Sequence, residues 1–193
     1  MLIGQKLAEA RLARAIASEK VGHAYLFLGP TGSGKSTAAR LFAQALNCEQ
    51  QPAVSSQQSG DGGTLRLTPC GECQSCRRIA VGKHPEVLEV WPDSKTGQNI
   101  TVDLAREIRR TAALRPKLGR RRIYLVPNAE TFNEESANAL LKTLEEPSDF
   151  VTMILCAPNP SQVLPTIRSR CQTIRFGLAP AEEIERALTA GGT

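Results

Sequence analysis

The octapeptide Gly29-Pro30-Thr31-Gly32-Ser33-Gly34-Lys35-Ser36 limits what this chain can become. It fits the pattern of a glycine, four residues, then Gly-Lys-Ser/Thr. Its flanks suit it. His23–Leu28 is a short apolar run bounded by Gly22 and Gly29 and reads as a buried strand. Ser36–Leu46 is alanine-rich, free of Gly and Pro, and reads as a helix. Glycines let such a loop curl so that successive N–H groups point inward at phosphate oxygens, and the following helix adds its N-terminal partial positive charge. Lys35 can reach the β and γ phosphates, and Ser36 can ligate Mg²⁺. An ordinary glycine-rich strand–helix turn is the plain alternative, and the full pattern in this context argues against it. The candidate nucleotide-binding residues are Gly29, Pro30, Thr31, Gly32, Ser33, Gly34, Lys35, Ser36 and Thr37, with ATP or ADP and its Mg²⁺ as the expected ligand.

Helices and strands alternate around this loop. Gln5–Ser18 reads as a helix, with Leu7, Ala8, Leu12, Ala15 and Ile16 close to helical spacing. Val87–Trp91 is a second strand. Val102–Leu114 is an amphipathic helix on Val102, Ala105, Ile108 and Ala112. Arg122–Val126 is a third strand, followed by a helix over about Glu134–Leu144, a fourth strand at Val151–Ala157 and a fifth at Gln172–Phe176. Ala181–Leu188, after Pro180, reads as one more amphipathic helix. The alternation implies an α/β fold with a parallel sheet covered on both faces. The 193 residues suffice for one sizeable domain and the start of a second. Aromatic residues are only 4%, so the core is expected to be aliphatic, and the single tryptophan, Trp91, is expected to pack at the end of the second strand. Glu49–Thr68, rich in Gln, Ser and Gly, reads as a mobile surface loop.

No apolar run approaches the roughly 20 residues that cross a bilayer, and Met1–Gly22 is charged throughout, so a cytoplasmic protein with no membrane contact is expected. The net charge of +5 is compatible with an acidic partner and equally with a basic soluble domain. Arg115, Lys117, Arg120, Arg121 and Arg122 cluster before the third strand. A solvated loop suits them better than a phosphate contact, since no aromatic residue is interleaved.

Three of the six cysteines, Cys70, Cys73 and Cys76, share a Cys-x-x-Cys-x-x-Cys run, and Cys48 sits at the end of the helix that follows the glycine-rich phosphate loop, the P-loop. Zn²⁺ takes four thiolates in a closed structural tetrahedron, so these four are the candidate metal ligands, closing a module over residues 48–76. Free buried thiols, a redox pair or an iron–sulfur cluster are the other readings. Cys156 and Cys171 fall in or beside strands and read as packing residues.

Together these segments resemble a known family. His23-Ala24-Tyr25-Leu26-Phe27-Leu28-Gly29-Pro30, Ala45-Leu46-Asn47-Cys48, the three-cysteine run, His84-Pro85, Asn138-Ala139-Leu140-Leu141-Lys142-Thr143-Leu144-Glu145-Glu146-Pro147 and Leu164-Pro165-Thr166-Ile167-Arg168-Ser169-Arg170-Cys171 are similar to bacterial clamp-loader subunits of DNA polymerase III. The resemblance covers nearly the whole chain apart from residues 49–69. It implies an AAA+ fold, a P-loop NTPase with a five-stranded parallel sheet and a helical lid. Residues 1–177 would form the nucleotide-binding domain, and 178–193 the first helix of a lid that the chain does not complete. It further implies a place in a hetero-pentamer with gamma/tau and delta subunits. That assembly opens a sliding clamp and closes it on primer–template DNA, as part of a DNA-directed DNA polymerase holoenzyme. Arg170, in the Ser-Arg-Cys motif, would act as an arginine finger on a neighbour's nucleotide; read without the resemblance, it is a surface arginine beside a strand. Arginine suits the finger because its charge is permanent and its planar fork matches phosphate oxygens.

One departure narrows the family. Hydrolysing members need an acidic pair at the end of the third strand, one carboxylate for Mg²⁺ and one for the attacking water. Here the strand runs into Pro127-Asn128, and Glu130 lies two residues on. Only Asn159 offers a polar side chain where the fourth strand ends in Cys156-Ala157-Pro158-Asn159. The expectation is therefore a delta-prime-type subunit that binds ATP, hydrolyses it poorly and assists a neighbour. An ATP-hydrolysing gamma/tau-type motor subunit is the alternative.

Overall fold

The computed structural model describes residues 2–51, 53–57, 64–92 and 99–190. Its centre is β1 (Ala24–Leu28), five residues that are all buried. An unbroken apolar run is what a strand covered on both faces requires. Tyr25 and Phe27 face one side and pack with α1 (Lys6–Ala17) and α2 (Lys35–Asn47), while Ala24, Leu26 and Leu28 face the other. Tyr25 meets Phe42 of α2 edge to face, ring centroids 5.3 Å apart, a geometry that aligns the positive ring edge with the negative face.

Around β1 stand β4 (Val87–Glu89), β5 (Arg122–Val126), β6 (Val151–Ala157) and β7 (Gln172–Arg175), in the order β4-β5-β6-β1-β7. Every pairing is parallel, as the alternation of strands and helices required. The second face is covered by α4 (Val102–Ala112) and α5 (Glu134–Glu145), through Ala105, Ile108, Leu140 and Leu144. A one-turn helix, α6 (Pro165–Arg168), precedes β7, and α7 (Ala181–Ala190) follows it. The amino-terminal segment is clasped to the end of the sheet: Gln5 Nε2 donates to Gly177 O at 2.7 Å and Gln5 Oε1 accepts from Gly177 N at 3.3 Å.

Two expectations need correction. The 49–68 segment is not simply a loop: β2 (Val54–Gln57) and β3 (Thr64–Leu67) form an antiparallel pair, with Val54 opposite Leu67. Residues 58–63, within the expected loop, lie outside the described residues. The pair forms because Leu67 joins the core and α1 supplies a buried carboxylate, Glu9, which accepts from Leu67 N and pairs with Arg66 at 3.4 Å. Trp91 does not pack at a strand end. β4 stops at Glu89, and Trp91 is half exposed, its Nε1 donating to Glu89 Oε2 at 3.3 Å. A short helix, α3 (Gln74–Ala80), completes the elements.

Candidate functional site

β1 delivers the chain at Leu28 into the loop, and α2 begins at Lys35. Two glycines make the curl, Gly32 at φ 81° and Gly34 at φ 83°, both in the left-handed region that side-chain-bearing residues avoid. Gly29 is needed for a different reason. A Cβ there would stand 2.3 Å from Phe176 O, where the chain leaves β7 alongside the loop. Pro30, Thr31, Gly32, Ser36 and Thr37 are exposed, Gly29, Gly34 and Lys35 half-buried, and Ser33 is buried. Lys35 Nζ donates to Gly29 O at 2.6 Å and Pro30 O at 2.8 Å, so the ammonium is folded over the loop it would serve. The nine expected residues thus run through the curl and the first turn of α2 at the carboxyl edge of the sheet, where ligands of open α/β sheets bind.

The acidic residues beside this loop are the informative ones. Ser36, Arg40, Glu89, Pro127 and Cys156 line one small cleft. Glu89 is gripped by Arg40 through two hydrogen bonds, Nε to Oε1 at 2.7 Å and Nη2 to Oε2 at 3.1 Å, which hold its carboxyl below the usual carboxylate range. Pro127 offers no ligand, and Asn128 donates to Glu130 Oε1 at 3.4 Å. Glu130 Oε2 is buried without a hydrogen-bond partner among the described residues. Asn159 is occupied as a cap, its Oδ1 accepting from Ser161 N at 3.2 Å. Burial pushes the thiols of Cys156 and Cys171 up to about 12, which keeps them inert.

The four cysteines expected to bind metal do converge: the Sγ atoms of Cys48, Cys70, Cys73 and Cys76 all lie within 4.8 Å of one another. With Zn–S bonds of about 2.3 Å, a tetrahedron needs sulfurs roughly 3.8 Å apart, so the cluster is the right size. Backbone amides point at the sulfurs. Cys73 N donates to Cys70 Sγ at 3.3 Å and Cys76 N to Cys73 Sγ at 3.4 Å, the pattern that stabilises thiolate charge. The Cys73 amide is the main reason that the Cys70 thiol falls to about 7, whereas burial drives Cys76 upward. Glu49, next to Cys48, accepts from Ser75 N and Oγ at 3.0 Å and so ties α3 to the end of α2.

Arg170 is remote from the P-loop of its own chain. β7 runs parallel to β1 with Gln172 opposite Tyr25 and Arg175 opposite Leu28. Arg170, two residues before β7, therefore stands at the amino edge of the sheet, whereas the P-loop leaves the carboxyl edge. Its guanidinium contacts Glu145 Oε1 and donates to Thr166 O at 2.9 Å.

Sequence reasoning missed Asn47. This buried residue at the end of α2 accepts from Arg120 N at 2.9 Å and Arg121 N at 2.8 Å and donates to Arg121 O at 3.0 Å. Gly119 permits the approach, since a Cβ there would stand 3.0 Å from Asn47 Oδ1. The basic cluster nearby is dispersed: Arg122 pairs with Glu86 at 2.6 Å, Arg121 donates to Thr152 Oγ1 at 3.1 Å, and Arg115 lies over the Phe150 ring.

Comparison with known proteins follows this geometry. The profile of the family described as "DNA polymerase III, delta subunit" matches residues 4–179. The DNA polymerase III subunit tau/gamma of Haemophilus influenzae is 34% identical over 184 residues, 95% of this chain and 24% of that protein. The subunit delta' of Pseudomonas aeruginosa is 39% identical over 149 residues, 77% of this chain and 41% of that protein. The chain therefore spans well under half the length of these relatives. Among solved structures, a gamma subunit-related protein of Thermotoga maritima aligns with a TM-score of 0.58 at 24% identity, covering 96% of this chain and 49% of that one. A Thermotoga maritima RuvB variant aligns with a TM-score of 0.58 at 15% identity, covering 98% and 52%. These two likenesses concern the fold. Among the described residues no helix is long and apolar enough to cross a membrane.

Proposed function

Since the chain belongs to the clamp-loader subunit family of DNA polymerase III and carries an AAA+ fold, we propose that it is a delta-prime-type subunit: it binds ATP, hydrolyses it poorly and lends Arg170 to a neighbour's nucleotide. The observation that carries this reading is the contrast at the carboxyl edge of the sheet. The P-loop sequence is complete from Gly29 to Thr37, while β5 is followed by Pro127 and Asn128, neither of which has a carboxylate. Backbone amides of the curl, the α2 amino terminus and Lys35 would hold the phosphates, and Ser36 would ligate Mg²⁺. Bound Mg²⁺ would neutralise charge on the β and γ oxygens. Pro127 and Asn128 cannot polarise a water as a carboxylate would, and Glu89 is held by Arg40, so in this reading binding outlasts turnover. In this reading residues 1–177 form the nucleotide-binding domain and α7 opens the lid. Cys48, Cys70, Cys73 and Cys76 hold Zn²⁺. The partners are gamma/tau and delta subunits in a hetero-pentamer, a sliding clamp and primer–template DNA, in the cytoplasm.

A motor-type reading has two observations behind it. The tau/gamma relative aligns over more of this chain than the delta' relative, and Glu130 keeps one buried oxygen unpartnered. Single-turnover hydrolysis by the isolated subunit separates the two. The delta-prime reading expects bound ATP to persist, and the motor reading expects conversion to ADP that Glu130→Gln abolishes. Lys35→Ala removes a charge-assisted contact to phosphate and is expected to weaken nucleotide binding about 10- to 100-fold in calorimetry. Unchanged affinity would remove Lys35 from the site.

A further inference from the structure

Resting on the trans-acting reading of Arg170, we propose that Glu145 is the positioning residue of the arginine finger: it orders the guanidinium before a neighbour arrives. Two elements hold this side chain. Glu145, the last residue of α5, contacts Nη2, while Nη1 donates to Thr166 O at 2.9 Å and Ser169 Oγ at 3.3 Å. Both anchors are themselves fixed. Leu144 is 2% exposed and Ile167 fully buried in the same core, so α5 and α6 cannot drift apart without opening it.

The placement of Glu145 is otherwise hard to justify. A carboxylate in the last turn of a helix opposes the partial negative charge there, and Glu146 adds a second one beside it. The pair with Arg170 is half exposed, 32% on the arginine and 48% on the glutamate, so it contributes little to folding. What it does achieve is order. A free arginine must surrender most of its rotamer freedom on reaching a phosphate, and a tethered one has already done so. Two of the five N–H groups, on Nε and Nη2, remain without a partner among the described residues, enough to meet phosphate oxygens.

The test measures DNA-stimulated ATP hydrolysis by a loader reconstituted with the full-length subunit. It compares native protein with R170A, E145A, E145Q and the double variant E145A/R170A. E145A is expected to lower kcat roughly three- to tenfold with KM for ATP unchanged, because only the approach to the transition state is affected. E145Q, which keeps an acceptor at the same reach, retains most of the rate. In the R170A background E145A has no further effect, since the two residues act as one unit. Thermal midpoints shift by no more than about 2–4 °C. Native or faster hydrolysis by E145A while R170A is impaired overturns the positioning role and leaves the finger standing. An equal loss from E145A with and without Arg170 also overturns it. A native rate for R170A removes the finger itself, and the role of Glu145 with it.

Discussion

At Asn47 one carboxamide satisfies three backbone groups of residues 120 and 121 at the foot of the sheet. Asn47→Ala leaves two N–H donors and a carbonyl without partners, at a cost of about 1–3 kcal/mol for each group that water cannot reach. The expected loss is roughly 2–4 kcal/mol in denaturant unfolding, with Asn47→Asp milder because it keeps the acceptors. A loss below about 0.5 kcal/mol, the range of ordinary surface substitutions, would show that the contacts are replaceable. His84 makes a pH-dependent contribution. It is buried, its Nδ1 accepts from Glu86 N at 3.1 Å, and burial holds its pKa below the usual histidine value. The unfolded chain takes up a proton near pH 6.5 while the folded one does so only at lower pH, so stability falls as pH drops below about 6.5. His84→Asn, which keeps an acceptor and cannot titrate, is expected to flatten that part of the curve. Parallel native and variant melting curves between pH 7.5 and 5.5 would contradict it.

Among the elements, the module built from β2, β3 and α3 tests the proposal that the four cysteines hold Zn²⁺, since a structural site there would tie α3 and the hairpin to the end of α2. Chelating zinc, or making Cys76→Ser, is expected to expose the amides of 54–57, 64–67 and 74–80 to hydrogen exchange while β1, β5 and β6 stay protected. Uniform loss of protection would mean that the cluster supports the whole core, and no loss would mean that it holds no structural metal. The main sheet was legible in the sequence because its central strands are buried on both faces and read as apolar runs. The hairpin was not. Its four-residue strands carry one fully buried side chain, Leu67, with Val54 and Leu65 partly buried against the core, and further support comes from Glu9, more than fifty positions away from Arg66 and Leu67. Trp91 misled for a related reason: its apolar bulk suggested packing, but its indole N–H donates to the Glu89 carboxylate that Arg40 also holds, and the ring stays half exposed. The curl of the glycine loop and the convergence of the four cysteines were legible because in each the residue types and their spacing form one local pattern. Asn47 and Glu145 act through contacts distant in sequence, which spacing does not encode.

At the scale of the whole molecule, the P-loop beyond Leu28 and the proposed finger Arg170 ahead of Gln172 lie on opposite edges of one sheet. Arg170 so placed does not reach its own chain's P-loop, and the proposed trans role therefore needs a neighbour at each edge. Turnover by the subunit alone is accordingly expected to stay far below the 1–100 s⁻¹ that is typical of kinases. The most direct test is DNA-stimulated ATP hydrolysis by a loader containing the full-length subunit, native against Arg170→Ala, with motor subunits present in both. The account predicts a large fall, on the order of 10³-fold at the one site that Arg170 serves and diluted by the others. An unchanged rate would contradict it and leave this chain as an assembly element without a part in the chemistry.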